Sequence, residues 1–422
     1  MNETTQAVPA FGSFLILPLK YDPDRLDRAR LGALGAPAPV TTADVNENIK
    51  SMFDPDSPAS VGWGRVLPRQ ALCASLGGCT GALKVHAGGR EFDFLLEESR
   101  LYVFNTRVAF LCLALTFSNM ETLAAICNPG WASSIAEFSR LDEAGQSHGF
   151  SLEGWLEGLL KPLGLEKFFD GPSSYLLDAY VYTFTLAPEW FDTLEEMRAI
   201  TFNLHKMVEP DAPMEDAAEE DIRYVFAARN REKAAYRWGC CVASQTISYV
   251  VADPALDLAA QRAVQAEDGL PVVLLALYEK YTCLRFTQLM TGLKKSRMKE
   301  LRELKNLLLN FRAFGTVTPA NLSRWHNVKQ IFANLLAVND VEAAVADVSA
   351  KLDILAAHQQ ELEHARSETV INLITLFGIV SILASVLSIV QILSDGNVLI
   401  WASTILTSGL LALATAFALR RR

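Results

Sequence analysis

Two uncharged runs near the carboxyl end constrain this chain more than any other feature: Val370 to Leu393 is 24 residues without a charge, and Val398 to Leu419 is 22. As helices rising about 1.5 Å per residue, each is long enough to cross a hydrocarbon layer of roughly 30 Å. Between them stand only Ser394, Asp395, Gly396 and Asn397, whose glycine suits a reversal, so the pattern predicts an antiparallel transmembrane hairpin over 369–422. Arg420, Arg421 and Arg422 follow the second span, and the positive-inside rule places them in the cytoplasm. A hairpin returns both open ends to one side. The expected location is therefore the cell inner membrane, multi-pass, with both termini cytoplasmic and the lipid bilayer as a partner. Near the amino terminus the apolar run is only about six residues, too short for the core of a signal peptide.

The residues before the hairpin read as a folded cytoplasmic part, because 50% hydrophobic and 20% charged residues give ample core material. A formal charge of −10 opposes a phosphate backbone, so no DNA partner is expected. The seven cysteines contain no CxxC pair and read as reduced thiols. Runs of β-branched and aromatic residues recur at Phe14–Leu17, Leu83–His86, Phe92–Leu96, Leu101–Leu115, Leu177–Leu186, Ile222–Ala227 and Val242–Val251, with a hairpin turn at Ala87–Arg90. Helical stretches alternate with them at Val45–Phe53, Ser118–Cys127, Leu152–Leu160 and Glu189–Leu204. Together they predict an α/β cytoplasmic domain over 1–268. The acid-rich stretch from Glu209 to Asp221 reads as a solvated loop.

From 269 to 368 the composition predicts long stalk helices with a break near 315–318, after which Thr318 can cap and Pro319 can open the next helix. No further proline or glycine occurs until Gly378, so Pro319 to Leu393, 75 residues, is expected as one helix of roughly 110 Å. Along it Val338, Val341, Val345, Val348, Leu352, Leu355, Gln359 and Leu362 alternate at three and four residues, a heptad seam. The seam can pack on the same chain or on a neighbouring subunit.

A two-helix hairpin cannot enclose an aqueous path, so conduction would require several copies. Gly378, Ser381, Ser385 and Ser388 share one helical face, either a close-packing surface or a pore wall. Asn372 and Gln391 are candidates for the pore ends. In an oligomer, Asp395 and Asn397, flanking Gly396, would repeat around the outer mouth as rings of oxygen that attract cations, and they are the candidate metal ligands. Neither span carries an ionisable residue, which argues against a proton relay or voltage sensor. No P-loop, HExxH or GxSxG occurs, the glycine-rich Gly77–Gly81 lacks a P-loop lysine, and the six histidines show no ligand spacing. No enzyme and no covalent cofactor are expected. Lys294, Lys295 and Arg297 open a basic helical cluster, and Arg107 is a lone charge in an apolar strand. Each reads either as an ion-paired structural charge or as a ligand or gating contact.

An α/β cytoplasmic domain, stalk helices running into a first span, a short outer loop and a basic carboxyl terminus together resemble the CorA family of divalent-cation transporters. The segment Thr369–Leu376 also looks like that family's entry into its first span. The resemblance implies a homo-oligomer, a pentamer, passing a divalent cation such as magnesium. The family's Gly-Met-Asn signature is replaced here by Ser394-Asp395-Gly396-Asn397, without the Met or a preceding aromatic. The sequence therefore looks like a divergent CorA-like branch, for which weak discrimination between magnesium and other cations is expected. Some members of that branch are similar to membrane effectors encoded beside type III CRISPR systems and opened by a nucleotide messenger, so a signalling nucleotide is the alternative partner. A nonconducting membrane scaffold is the third reading.

Overall fold

The computed structural model describes residues 10–127, 137–142, 144–171, 175–214, 222–228, 235–292 and 298–393, together with Ala402, Ser403, Ile405, Leu406 and Gly409. It divides into two compact units, residues 1–348 and 349–422.

The first unit is built on a mixed sheet. Its strands are β1 (Phe11–Tyr21), β2 (Gly62–Leu67), β3 (Ala82–Ala87), β4 (Arg90–Leu96), β5 (Ser99–Phe104), β6 (Val108–Phe117) and β7 (Glu137–Leu141). They continue as β8 (Ser147–Phe150), β9 (Leu165–Lys167), β10 (Tyr180–Ala187), β11 (Arg223–Ala228), β12 (Tyr236–Val242) and β13 (Thr246–Ala252). The helices within and after the sheet are α1 (Arg28–Ala33), α2 (Glu47–Met52), α3 (Arg69–Ser75), α4 (Met120–Cys127), α5 (Leu152–Leu160), α6 (Leu194–His205) and α7 (Leu258–Val264). Next come α8 (Leu270–Gly292), α9 (Met298–Asn310), α10 (Pro319–Leu322), α11 (His326–Val338) and α12 (Val341–Leu393).

The sheet runs β11-β12-β13-β10-β1-β6-β4-β3-β7-β8, with β5 and β2 branching from β6 and β9 pairing with β1. Among the described pairs only β10 with β13 is parallel. β1 and β6 are its spine, and every residue of both is buried, as expected of apolar strands covered on both faces. Pro18, which has no N–H to give, falls where one edge of β1 changes partner, between β10 pairing that ends at Ile16 and β9 pairing that starts at Leu19. Alternate side chains go to opposite faces. Leu15, Leu17 and Leu19 join Leu111, Leu113 and Leu115 in a core closed by α4 and α5 through Leu123, Ile126 and Leu156. On the other face Phe104 stacks on Tyr278 of α8 at 4.4 Å, and Phe110 meets Tyr281 edge-on at 5.7 Å.

The expected strand run Leu101–Leu115 is a hairpin rather than one strand. Asn105, Thr106 and Arg107 turn the chain, and Arg107 takes a left-handed φ of 69°, the geometry of a three-residue hairpin loop. Gly88 and Gly89, at φ 59° and 75°, make the expected two-residue turn between β3 and β4.

The region expected as a stalk differs more. α8 is a core helix of the first unit: Leu270 to Tyr278 are all buried. The break after Gly315 is present, and Pro319 opens α10. The helix expected from Pro319 to Leu393 is interrupted twice. Ser323 accepts the Trp325 N–H at 3.0 Å, diverting the backbone between α10 and α11. Between α11 and α12, Asp340 adopts φ 49°, while the Asn339 side chain donates to the Leu335 carbonyl at 2.8 Å and accepts from Lys280 at 2.7 Å. α12 is continuous for 53 residues. At its start Val341 and Val348 are buried, so this part of the heptad seam packs within one chain. The side chains of Gln359 and Leu362 lie outside the described residues.

Candidate functional site

The segment Ser367–Ile389 of α12 is the one helix among the described residues that is long and apolar enough to cross a membrane, and none of its most apolar window is buried. Phe377 is 70% exposed and Ile382 65%. At about 100° per residue, Val370, Ile371, Leu373, Ile374, Ile382 and Val386 spread over much of the helix circumference. Leaving such a surface in water opposes the hydrophobic effect at about 25 cal/mol per Å².

On this helix Gly378, Ser381, Ser385 and Ser388 fall within about 80° of arc and are exposed. Their hydroxyls are partly satisfied locally: Ser385 Oγ donates to the Ser381 carbonyl at 2.9 Å and Ser388 Oγ to Ala384 at 3.0 Å. Such back-bonding lets serine tolerate an apolar environment. Asn372 projects from the opposite side of the helix, about 160° from the middle of that stripe, so the two do not line one surface of a single helix. Gln391 ends the same helix, and its side chain lies outside the described residues. Asp395, Gly396 and Asn397 of the expected outer mouth, and most of the expected second span, also lie outside them, as do Lys294, Lys295 and Arg297. Of the second span, Ala402, Ser403, Ile405, Leu406 and Gly409 are helical.

Arg107 is placed differently from the expectation. It occupies the β5–β6 turn rather than a strand, and it is half-buried. Its N–H donates to the Phe104 carbonyl and its own carbonyl accepts the Tyr21 N–H, both at 3.2 Å. Arg285, which composition did not single out, comes from α8 to the same place and donates to the Tyr21 carbonyl at 3.3 Å. Burial, then the charge of Arg107, pushes the Arg285 guanidinium below its ordinary value. Tyr21 donates its hydroxyl to the Phe104 carbonyl at 2.7 Å, and burial pushes its pKa up to about 12 against the opposing charges of Arg28, Arg107 and Arg285. Arg107 and Arg285 thus both hydrogen-bond the backbone of Tyr21, and the charges of Asp22, Asp170 and Glu166 moderate Arg285.

Gly77–Gly81 is a loop held by arginines rather than a phosphate cradle, since Arg140 donates to the Gly78 carbonyl and Arg69 to the Thr80 carbonyl, each at 2.5 Å. No group of three or more His, Cys, Asp or Glu side chains suited to a metal occurs among the described residues. Comparison with protein-family models, curated proteins and solved structures finds no match in any of the three.

Proposed function

We propose that this chain is a membrane-embedded protein, CorA-like in plan, that assembles into a homo-oligomer and passes cations with weak discrimination between magnesium and others. The observation that supports this reading is the apolar, unburied helix Ser367–Ile389, which lipid and neighbouring copies would cover. Its small, hydroxyl-bearing stripe is the surface along which copies would approach closely or leave a path for water. Asp395 and Asn397 would then ring the outer mouth and concentrate cations there, with both termini on the cytoplasmic side. The supporting experiment is a mass measurement of the full-length chain in detergent. A multiple of the subunit mass, five by the family resemblance, is expected. A monodisperse monomer would remove the pore.

Opening by a nucleotide messenger is the second reading, supported by the meeting of Arg107 and Arg285 at the Tyr21 backbone. Guanidinium groups are suited to phosphate oxygens. Cation flux that depends on added nucleotide and is lost in Arg285→Ala would support it; flux indifferent to both would exclude it.

A further inference from the structure

A cavity of about 420 Å³ lies between β12, β13, the start of α11 and the turn joining α7 to α8. That turn, Gln265–Gly269, is π-helical, an irregularity frequent at functional sites. It carries Asp268 to the cavity, where Asp44 arrives from the loop before α2. Thr41 donates its hydroxyl to Asp268. Among the described residues Arg237 is the one cationic side chain lining the cavity, and it is ion-paired with Asp253. The cavity therefore carries an excess of negative charge. Burial, then the charges of Asp44 and Glu267, holds the Asp268 carboxyl up at about 6, and burial raises Asp44.

The walls add a second kind of chemistry. Trp238 and Tyr249 come from adjacent strands with ring centroids 6.3 Å apart, and Trp325 enters from the residue before α11. The Trp325 ring already holds one cation, the Arg324 guanidinium, 4.9 Å from its centroid. Gln261 also lines the cavity, at only 2% exposure. Its carboxamide offers both a donor and an acceptor to a ligand there.

We propose that the cavity formed by Asp44, Asp268, Gln261, Trp238, Tyr249 and Trp325 binds a small organic cation, an alkylammonium or guanidinium compound. Its charge meets the carboxylates, its apolar flank lies on the rings, and its N–H groups reach Gln261. A hydrated magnesium ion could be held by the two carboxylates but would make no use of the three rings, which suit an organic cation. A phosphate-bearing ligand is opposed by the carboxylates. This site does not depend on the membrane reading, since every lining residue belongs to the first unit.

The test is calorimetric titration of the full-length chain in detergent with spermidine, agmatine and tetramethylammonium, with magnesium chloride as comparator. At least one organic cation should bind once per chain, and Asp44→Asn and Trp325→Ala should each weaken it roughly tenfold or more. Asp44→Asn is the safer variant, because removing a desolvated charge does not threaten the fold. Unchanged thermal unfolding of that variant would assign its loss of affinity to the site. Three results would overturn the proposal: no saturable heat from the three organic cations up to about 10 mM, affinity unchanged in Asp44→Asn, or magnesium binding more tightly than each organic cation.

Discussion

Replacing Glu279 by glutamine should stabilise the protein, and by more as the pH rises. Glu279 lies in α8 and is 4% exposed, with one carboxylate oxygen accepting the Val317 N–H at 2.9 Å. Burial pushes its pKa up from 4.5 to about 8, partly opposed by that hydrogen bond. Burial and the Val317 hydrogen bond are the causes of its shift, and its charge in turn raises Tyr278 and Cys283. The folded state therefore holds the proton more tightly than the unfolded state. Stability from this group is greatest below the unfolded pKa and declines as pH rises from 4.5 to about 8. At about 1.4 kcal/mol per unit the loss is under ~1 kcal/mol at pH 5, ~3 kcal/mol at pH 7 and ~4 kcal/mol at pH 8. Glutamine keeps the acceptor for Val317 and has no charge to desolvate. Unfolding of parent and Glu279→Gln in the same detergent should show curves close at pH 5 that separate by pH 8, with the variant the more stable. A difference independent of pH, or a variant less stable at pH 8, would refute the assignment of a protonated Glu279.

Other substitutions test other parts of the account. Gly164 has φ 76° and a built Cβ would stand 2.2 Å from the Arg25 carbonyl oxygen, so Gly164→Ala should cost about 2 kcal/mol or more in a denaturation experiment. Val348→Lys should destabilise the first unit by about 3 kcal/mol or more, because it buries a charge without a partner at a position 2% exposed. Arg107→Gly should leave stability unchanged or raise it by about 0.5 kcal/mol, since glycine accepts the left-handed turn more readily than arginine. A large loss there would show that the guanidinium itself holds the turn.

Strands with strong β composition were legible in the sequence. Phe14–Leu17, Leu83–His86 and Phe92–Leu96 all lie within strands, and Gly88-Gly89 marked its hairpin. β7 and β8, with sequences EFSRL and SHGF, carry too few apolar residues to signal a strand, and their pairing supplies what composition lacks. Charge further along the segment makes α8 look like part of a stalk, although nine consecutive apolar residues from Leu270 to Tyr278 are the mark of a helix buried on all sides. The breaks at Ser323 and Asn339-Asp340 were signalled by residues whose side chains compete for backbone hydrogen bonds. Arg107 looked like a strand charge because a three-residue loop without glycine resembles strand. The meeting of Asp44, Asp268, Trp238 and Trp325 depends on tertiary placement and has no local signature.

Whether the chain conducts is decided by cation flux through the full-length protein reconstituted into liposomes. Vesicles loaded with a cation-sensitive dye should show protein-dependent entry of magnesium and of monovalent cations at comparable rates. Asp395→Lys should lower the entry most at low ionic strength, where the field of a charged mouth is least screened. Flux no greater than in protein-free vesicles, with and without added nucleotide or organic cation, would contradict conduction and leave a membrane scaffold.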